Sequence, residues 1–340
     1  MWATRYSTRG FDLRFTRDAE PAPSAAVAQA FIAAPRTRAA RRRPMALRVV
    51  LKSRVTALAS LALIIILGVA VFAPLLPYGP YRQNILIRNT GPSSQHWLGT
   101  DQLGRDIFAR LAFGARVSSI VAVTSTLVAL TIGVVVGSVA GYLGGRADSV
   151  IMRVVDAMYA FPDLLFAVLL SALIKGNLAV DISGPLAGLI SIYHATGGLM
   201  GVLFTIGLTS WLTVCRLVRG QILSLKHVEY VDAARCAGAS GPHIVRVHLL
   251  PNTIASIMVA ATLAIPNAVI LEAGLSFIGL GVDPPTPSWG TMIVDGINSL
   301  ESYPYQLWIP AVAIGLTLLC LNILGDSTRD ALDPVLRRRV

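Results

Sequence analysis

Residues Glu229–Pro251 read EYVDAARCAGASGPHIVRVHLLP, a polar, helix-prone stretch caught between two long apolar runs. Glu229 and Asp232 stand in the opening turn of a short predicted helix. Acidic groups there meet the positive end of the helix dipole, a gain of roughly 0.3–1 kcal/mol. Gly238 and Gly241 offer turns with positive φ. Pro242 is placed to open a second short helix, and Leu250-Pro251 closes the segment at the start of the next apolar run. Tyr230 precedes a face made by Ala233, Ala234, Ala237 and Gly238, with Ala239 just beyond it. That face has almost no side-chain bulk, so another protein's surface can come close to its backbone.

The apolar runs on either side set the fold class. The chain has 340 residues, 54% hydrophobic and 14% charged, the composition of a multi-spanning membrane protein rather than a soluble enzyme. Six helical spans are expected: Val55–Leu76, Val117–Tyr142, a third from near Arg153 through Phe161-Pro162-Asp163 to Ile174, then Leu199–Val218, Asn252–Leu271 and Leu307–Leu324. The first is 22 residues without a charge, about 33 Å as a helix. In the second, Gly133, Gly137 and Gly141 recur at four-residue spacing, a stripe that lets another helix pack close.

The expected organisation is all-α. Residues 1–50 form a polar, basic, disordered segment; 51–113 hold the first span and an external loop; 114–325 form a core of five spans with the loop 219–250; 326–340 are a polar tail. Met45 is a candidate alternative start. The patch Pro185–Tyr193 is expected as a short interfacial helix.

Basic residues orient the chain. Net charge is +11, and with the N-terminus inside, 23 of the 29 Lys and Arg fall on the inner side (Arg216 counted there) against 6 outside. By the positive-inside rule both termini and the 219–250 loop are cytoplasmic. This distribution argues for a lipid bilayer partner rather than nucleic acid. The run Arg36–Arg43 is a positive-inside anchor. The external cluster Arg105, Arg110 and Arg116 departs from the rule and is partly offset by Asp101 and Asp106. Trp97, Trp289 and Trp308 suit an outer interfacial belt.

Catalytic patterns are missing. There is no Gly-x4-Gly-Lys-Ser/Thr, HExxH, CxxC or Gly-x-Ser-x-Gly. Cys215, Cys236 and Cys320 share no metal-ligand spacing, and His96 and His194 are isolated, so no metal site is expected. Transport, if active, draws energy from a partner or from an ion gradient. The carboxylates expected within spans are Asp163, well into the third, and Glu272, near the outer end of the fifth; both are candidate pathway-lining residues, intramembrane charges being costly, with Glu272 also suited to the interface.

The segment around Asp232, Ala233, Ala234, Gly238, Leu250 and Pro251 resembles the EAA loop of bacterial binding-protein-dependent ABC importers, with Asp for the usual Glu and His248 at an Ile position. HWLGTDQLGRDIFARLAFGAR (His96–Arg116) and GLSFIGLGVDPPTPSWG (Gly274–Gly290) are similar to stretches of dipeptide, oligopeptide and nickel importer permeases of the C-subunit type. The resemblance covers about residues 50–335. It implies a type I ABC importer permease fold, MetI-like, in the bacterial cytoplasmic membrane. The chain would be a non-catalytic subunit pairing with a homologous second permease subunit as a heterodimer. Two cytoplasmic ATP-binding domains would bind ATP and Mg²⁺, this chain binding no cofactor, and an external substrate-binding protein would deliver peptides. Residues Tyr230 to Ser240 would seat in a cleft of the ATPase. Nickel or glutathione are alternative cargoes. An ion-gradient-driven secondary transporter would instead carry paired intramembrane charges and internal repeats.

Overall fold

In the computed structural model, which describes residues 53–178, 191, 193 and 195–332, the uncharged runs become helices, the arrangement that pairs every backbone N–H and C=O within its own segment. The segment 1–50, most of the Pro185–Tyr193 patch, His194 and Arg337–Arg339 lie outside the described residues. Those described all belong to the unit Met45–Val340. They form α1 (Arg54–Phe72), α2 (Ile107–Leu143), α3 (Gly145–Tyr159), α4 (Asp163–Leu178), α5 (Leu199–Leu225), α6 (Glu229–Cys236), α7 (Leu250–Phe277), α8 (Trp289–Ile297) and α9 (Tyr305–Leu332). Five stretches are long and apolar enough to cross a membrane: α1 with the turn after it, α2, α5, Gly241–Phe277 and α9.

The third expected span is not one rod. It begins at Gly145 rather than near Arg153, and α3 and α4 meet at 90°. Pro162 causes the break: it lacks an N–H, and it drives Phe161 out of the helical region. The two arms nevertheless advance along α5 in one direction. Asp148 pairs with Arg219 at 2.5 and 2.6 Å; Tyr159 Oη meets Thr213 Oγ1 at 3.1 Å. Ile174 then lies close to Gly201, near the opposite end of α5. A re-entrant loop would return to its starting level, so the pair makes a broken sixth crossing.

The α2–α5 seam is the centre of the packing, and the glycine stripe explains it. A Cβ on Gly133 would lie 2.6 Å from Val214 Cβ, one on Gly137 2.5 Å from the Cys215 carbonyl oxygen, and one on Gly141 2.9 Å from that of Arg219. Only bare backbone permits this approach. α5 reciprocates at Gly207, where a Cβ would meet Val128 Cγ1 at 2.7 Å.

Several boundaries move outward, among them α5 to Leu225 rather than Val218 and the fifth span to Gly241–Phe277 rather than Asn252–Leu271. α2 starts at Ile107, ten residues before Val117, because Asp106 caps it through Ala109 N at 2.7 Å. α9 runs to Leu332, so Asp326–Leu332 is helix rather than free tail. There Ser327 is buried and its Oγ lies 2.9 Å from Thr56 Oγ1 of α1.

Candidate functional site

Residues Glu229–Pro251 fold as α6, a turn, and a helical elbow. α6 begins after Val228, with Glu229 and Asp232 in its first turn and Arg235 in its last, which suits both ends of the dipole. Arg235 donates to Asp232 at 2.7 Å. Gly238, at φ +84°, ends the helix: Ala239 N donates to Ala234 O at 3.0 Å and Gly238 N to Arg235 O at 2.9 Å. A Cβ there would touch nothing within 4 Å, so within this chain the turn alone favours glycine. Gly241 does not have positive φ, contrary to expectation; it opens the elbow because a Cβ would lie 2.9 Å from the Tyr142 ring.

The elbow also departs from a separate second helix. Gly241–His243 is helical, Ile244–Leu249 widens into a π-helix, and α7 continues without a stop. In a regular α-helix the ring of Pro251 would strike the carbonyl of Val247. The wider π turn relieves that conflict, and Asn252 Nδ2 donates to His248 O at 2.7 Å. Leu250 is half-buried and Pro251 exposed.

The small-residue face divides in two. Ala233, Ala237 and Gly238 are exposed with Asp232 and Tyr230, whereas Ala234 and Ala239 turn inward. They pack on a cluster formed by Val214, Val218 and Ile222 of α5, Val231 of α6, and Ile244 and Leu249 of the elbow. Val231 is completely enclosed. Asn252 also donates to the Tyr230 hydroxyl at 3.3 Å. Thus α6 presents an almost bulk-free outer surface on a base fixed to both α5 and α7.

Farther along the bundle, Asp163 is exposed at the start of α4 and lines a cleft of about 360 Å³ with Thr209, Ser210, Thr213 and Asn267. Its carboxylate has no hydrogen-bond or ion-pair partner among the described residues. Glu272 is placed elsewhere. Neither interfacial nor facing that cleft, it is fully enclosed, accepting from Ser118 at 3.0 Å and Ser276 at 2.8 Å. It ties α7 to α2, because in an apolar bundle a carboxyl needs hydroxyl partners.

The two stretches His96–Arg116 and Gly274–Gly290 pack together. Trp289 is buried rather than part of an exposed belt; its Nε1 donates to Leu111 O at 3.1 Å, and its ring packs beside Gly114. Trp97 and Trp308 are exposed as expected. Pairing accounts for Arg105 and Arg110 of the basic cluster, while Arg116 stays exposed and Asp106 pairs with His96 rather than an arginine. Asp101 Oδ2 accepts from Arg105 Nε and Arg110 Nη1, both at 2.6 Å, and Asp295 Oδ2 accepts from the same two arginines at 3.0 and 2.9 Å. Asp295 carried no local signal; an arginine surplus announces that carboxylates are needed but not which. His96 is held by Asp106 at 2.8 Å. Among the described residues no three His, Cys, Asp or Glu converge as metal ligands.

Comparison with known proteins agrees with this architecture. The family described as "Binding-protein-dependent transport system inner membrane component" matches residues 133–338. The dipeptide transport system permease protein DppC of Bacillus subtilis (strain 168) is 42% identical over 291 residues, 85% of this chain and 84% of that protein. The oligopeptide transport system permease protein OppC of the same organism is 40% identical over 292 residues, covering 85% and 89%. The glutathione transport system permease protein GsiD of Pectobacterium atrosepticum is 37% identical over 289 residues, covering 84% and 89%. With the helical bundle, the anchored α6 and these matches together, the chain belongs to the family of inner-membrane components of binding-protein-dependent transport systems.

Proposed function

We propose that this chain is a non-catalytic permease subunit of an ATP-driven importer that takes up short peptides. The observation that carries the reading is α6: a short helix fixed to two spans through Val231, with Ala233, Ala237 and Gly238 bare on its outer side. Such a helix is suited to seat in a partner's cleft and pass that partner's movement to α5 and α7. ATP and Mg²⁺ belong to two cytoplasmic partner domains. An external binding protein delivers cargo, and a homologous second permease subunit completes the pathway. The basic-residue distribution supports placing α6 and both termini in the cytoplasm.

Peptide cargo rests on the names of the dipeptide and oligopeptide relatives. Glutathione, itself a small peptide, is a second reading favoured by one relative. The Asp163 cleft is this subunit's share of the pathway, an unpaired carboxylate among hydroxyl and amide groups at the break of a span. Glu272, being enclosed, serves the bundle instead.

Gly238→Arg tests coupling. It forces a bulky side chain into positive φ on the seating face, so the complex should insert while uptake and cargo-stimulated ATP hydrolysis fall at least tenfold. Normal uptake and normal stimulated hydrolysis in that variant would exclude α6 as the coupling helix. Competition uptake with labelled dipeptide, oligopeptide, glutathione and Ni²⁺ identifies the cargo.

A further inference from the structure

A groove of about 390 Å³ lies between the last turns of α2 and the elbow, with Val135, Val139 and Leu143 on one wall and Pro242 on the other. The lining is almost wholly apolar and contains no acid. Val135, Val139 and Leu143 remain exposed, so the groove opens sideways from a membrane-spanning helix. Ser138, Arg246 and the Tyr142 hydroxyl interrupt it. Ser138 is 5% exposed, yet its Oγ has no partner among the described residues. Elsewhere on the same helix, buried Thr126 also lacks a partner among the described residues, whereas buried Ser125 and exposed Thr131 bond four residues back, to Val121 O at 2.6 Å and Leu127 O at 2.8 Å. Ser138 does not, which leaves a buried donor that an occupant of the groove would satisfy. Arg246 is the second group. It is exposed and has no carboxylate partner among the described residues.

We propose that this groove is a binding site for an anionic phospholipid. Its acyl chain lies along the apolar wall of α2, its phosphate meets Arg246, and an ester oxygen accepts from Ser138 Oγ. An unpaired guanidinium beside an apolar channel open to the bilayer is complementary to an anionic headgroup on an acyl chain. A zwitterionic lipid supplies the chain but not the net charge. Because the elbow forms one wall, the bound lipid braces the α2 end of the segment that carries α6.

The test uses the full-length protein purified with its co-expressed partner subunits, delipidated in mild detergent, and titrated with phosphatidylglycerol or with phosphatidylcholine of the same chains. Binding is read by native mass spectrometry. Phosphatidylglycerol should be retained preferentially, and Arg246→Gln should weaken it about fivefold, the effect of removing one basic contact. Val139→Trp fills the groove and should abolish retention; if that variant does not assemble, Ser138→Ala, which removes only the hydroxyl, should weaken binding without affecting assembly. Equal retention of the two lipids, or an unchanged affinity in Arg246→Gln, would overturn the proposal. So would competition by free glycerol phosphate as strong as that by the whole lipid, which would mark a site for soluble anions. Cross-linking from Val139→Cys (in a Cys236→Ser background) to a co-purifying polypeptide would assign the groove to a protein and overturn it as well.

Discussion

Gly137→Ala isolates the physical basis of the α2–α5 seam. In an open helical position this substitution stabilises by about 0.8–1.0 kcal/mol, because alanine loses less backbone entropy. At Gly137 the new methyl would sit 2.5 Å from the Cys215 carbonyl oxygen, where ordinary contact begins at 3.4 Å. The obstacle is backbone, so no rotamer change relieves it, and the helices must part locally by roughly 0.9 Å. A gap of that size forfeits about a quarter to a half of each dispersion well across the seam. Overpacking in well-packed interiors costs about 1–3 kcal/mol, so after the alanine gain the net effect is a destabilisation of up to about 2 kcal/mol. Gly68→Ala in α1 and Gly315→Ala in α9 are matched controls, since a Cβ at either meets nothing within 4 Å. Cys215 is buried in this seam and reports on it directly. With Cys236 replaced by Ser, thermal unfolding followed by thiol labelling should show a lower midpoint and faster Cys215 labelling for Gly137→Ala, and an unchanged or higher midpoint for the controls. A shift of all three variants in the same direction would refute the claim that close backbone approach holds this seam.

Other predictions follow from the buried polar groups. Arg110→Met leaves Asp101 enclosed with part of its countercharge removed and should destabilise by about 3–5 kcal/mol in chemical denaturation, with Asp101→Asn in the same chain recovering part of the loss. Glu272→Ala strands the Ser118 and Ser276 hydroxyls inside the bundle, about 1–3 kcal/mol for each, whereas Glu272→Gln keeps an acceptor and should unfold much closer to the parent. Burial pushes the Tyr193 phenol up to about 12 from 10.0, and the Asp283 carboxylate beside it adds to the shift. The folded state therefore favours the protonated phenol: its stabilising contribution is complete below pH 10 and is lost as pH rises from 10 towards 12. Difference absorbance at alkaline pH, compared with Tyr193→Phe, should show one tyrosine ionising late; its absence would remove the burial argument.

Much of the molecule was legible in residue order. Uncharged runs of membrane-crossing length specify helices wherever they lie, because an unpaired backbone in lipid is too costly. Gly133, Gly137 and Gly141 announced a close helix contact, since four-residue spacing puts them on one face. The acidic start and glycine end of α6 were equally local: both act within one turn. The limits appear where an effect depends on a distant neighbour. The third span was expected as one helix through Pro162, and only the tertiary structure showed the 90° break there, with contacts from Arg219 through Thr213 to Gly201 making the two arms one crossing. Pro251 suggested a helix start, yet the π turn carried the helix through it.

Periodicity and composition specified which segments are helices, how many cross, and where a bulk-free surface lies. Tertiary structure alone decided which buried charge faces which. It paired Asp295 with Arg105 and Arg110, sealed Glu272 among serines, buried Trp289 against Gly114, and left Asp163 open in its cleft. Helix formation is set by bonds spanning four residues, whereas the environment of a charge is set by groups that the chain brings together from more than a hundred positions away.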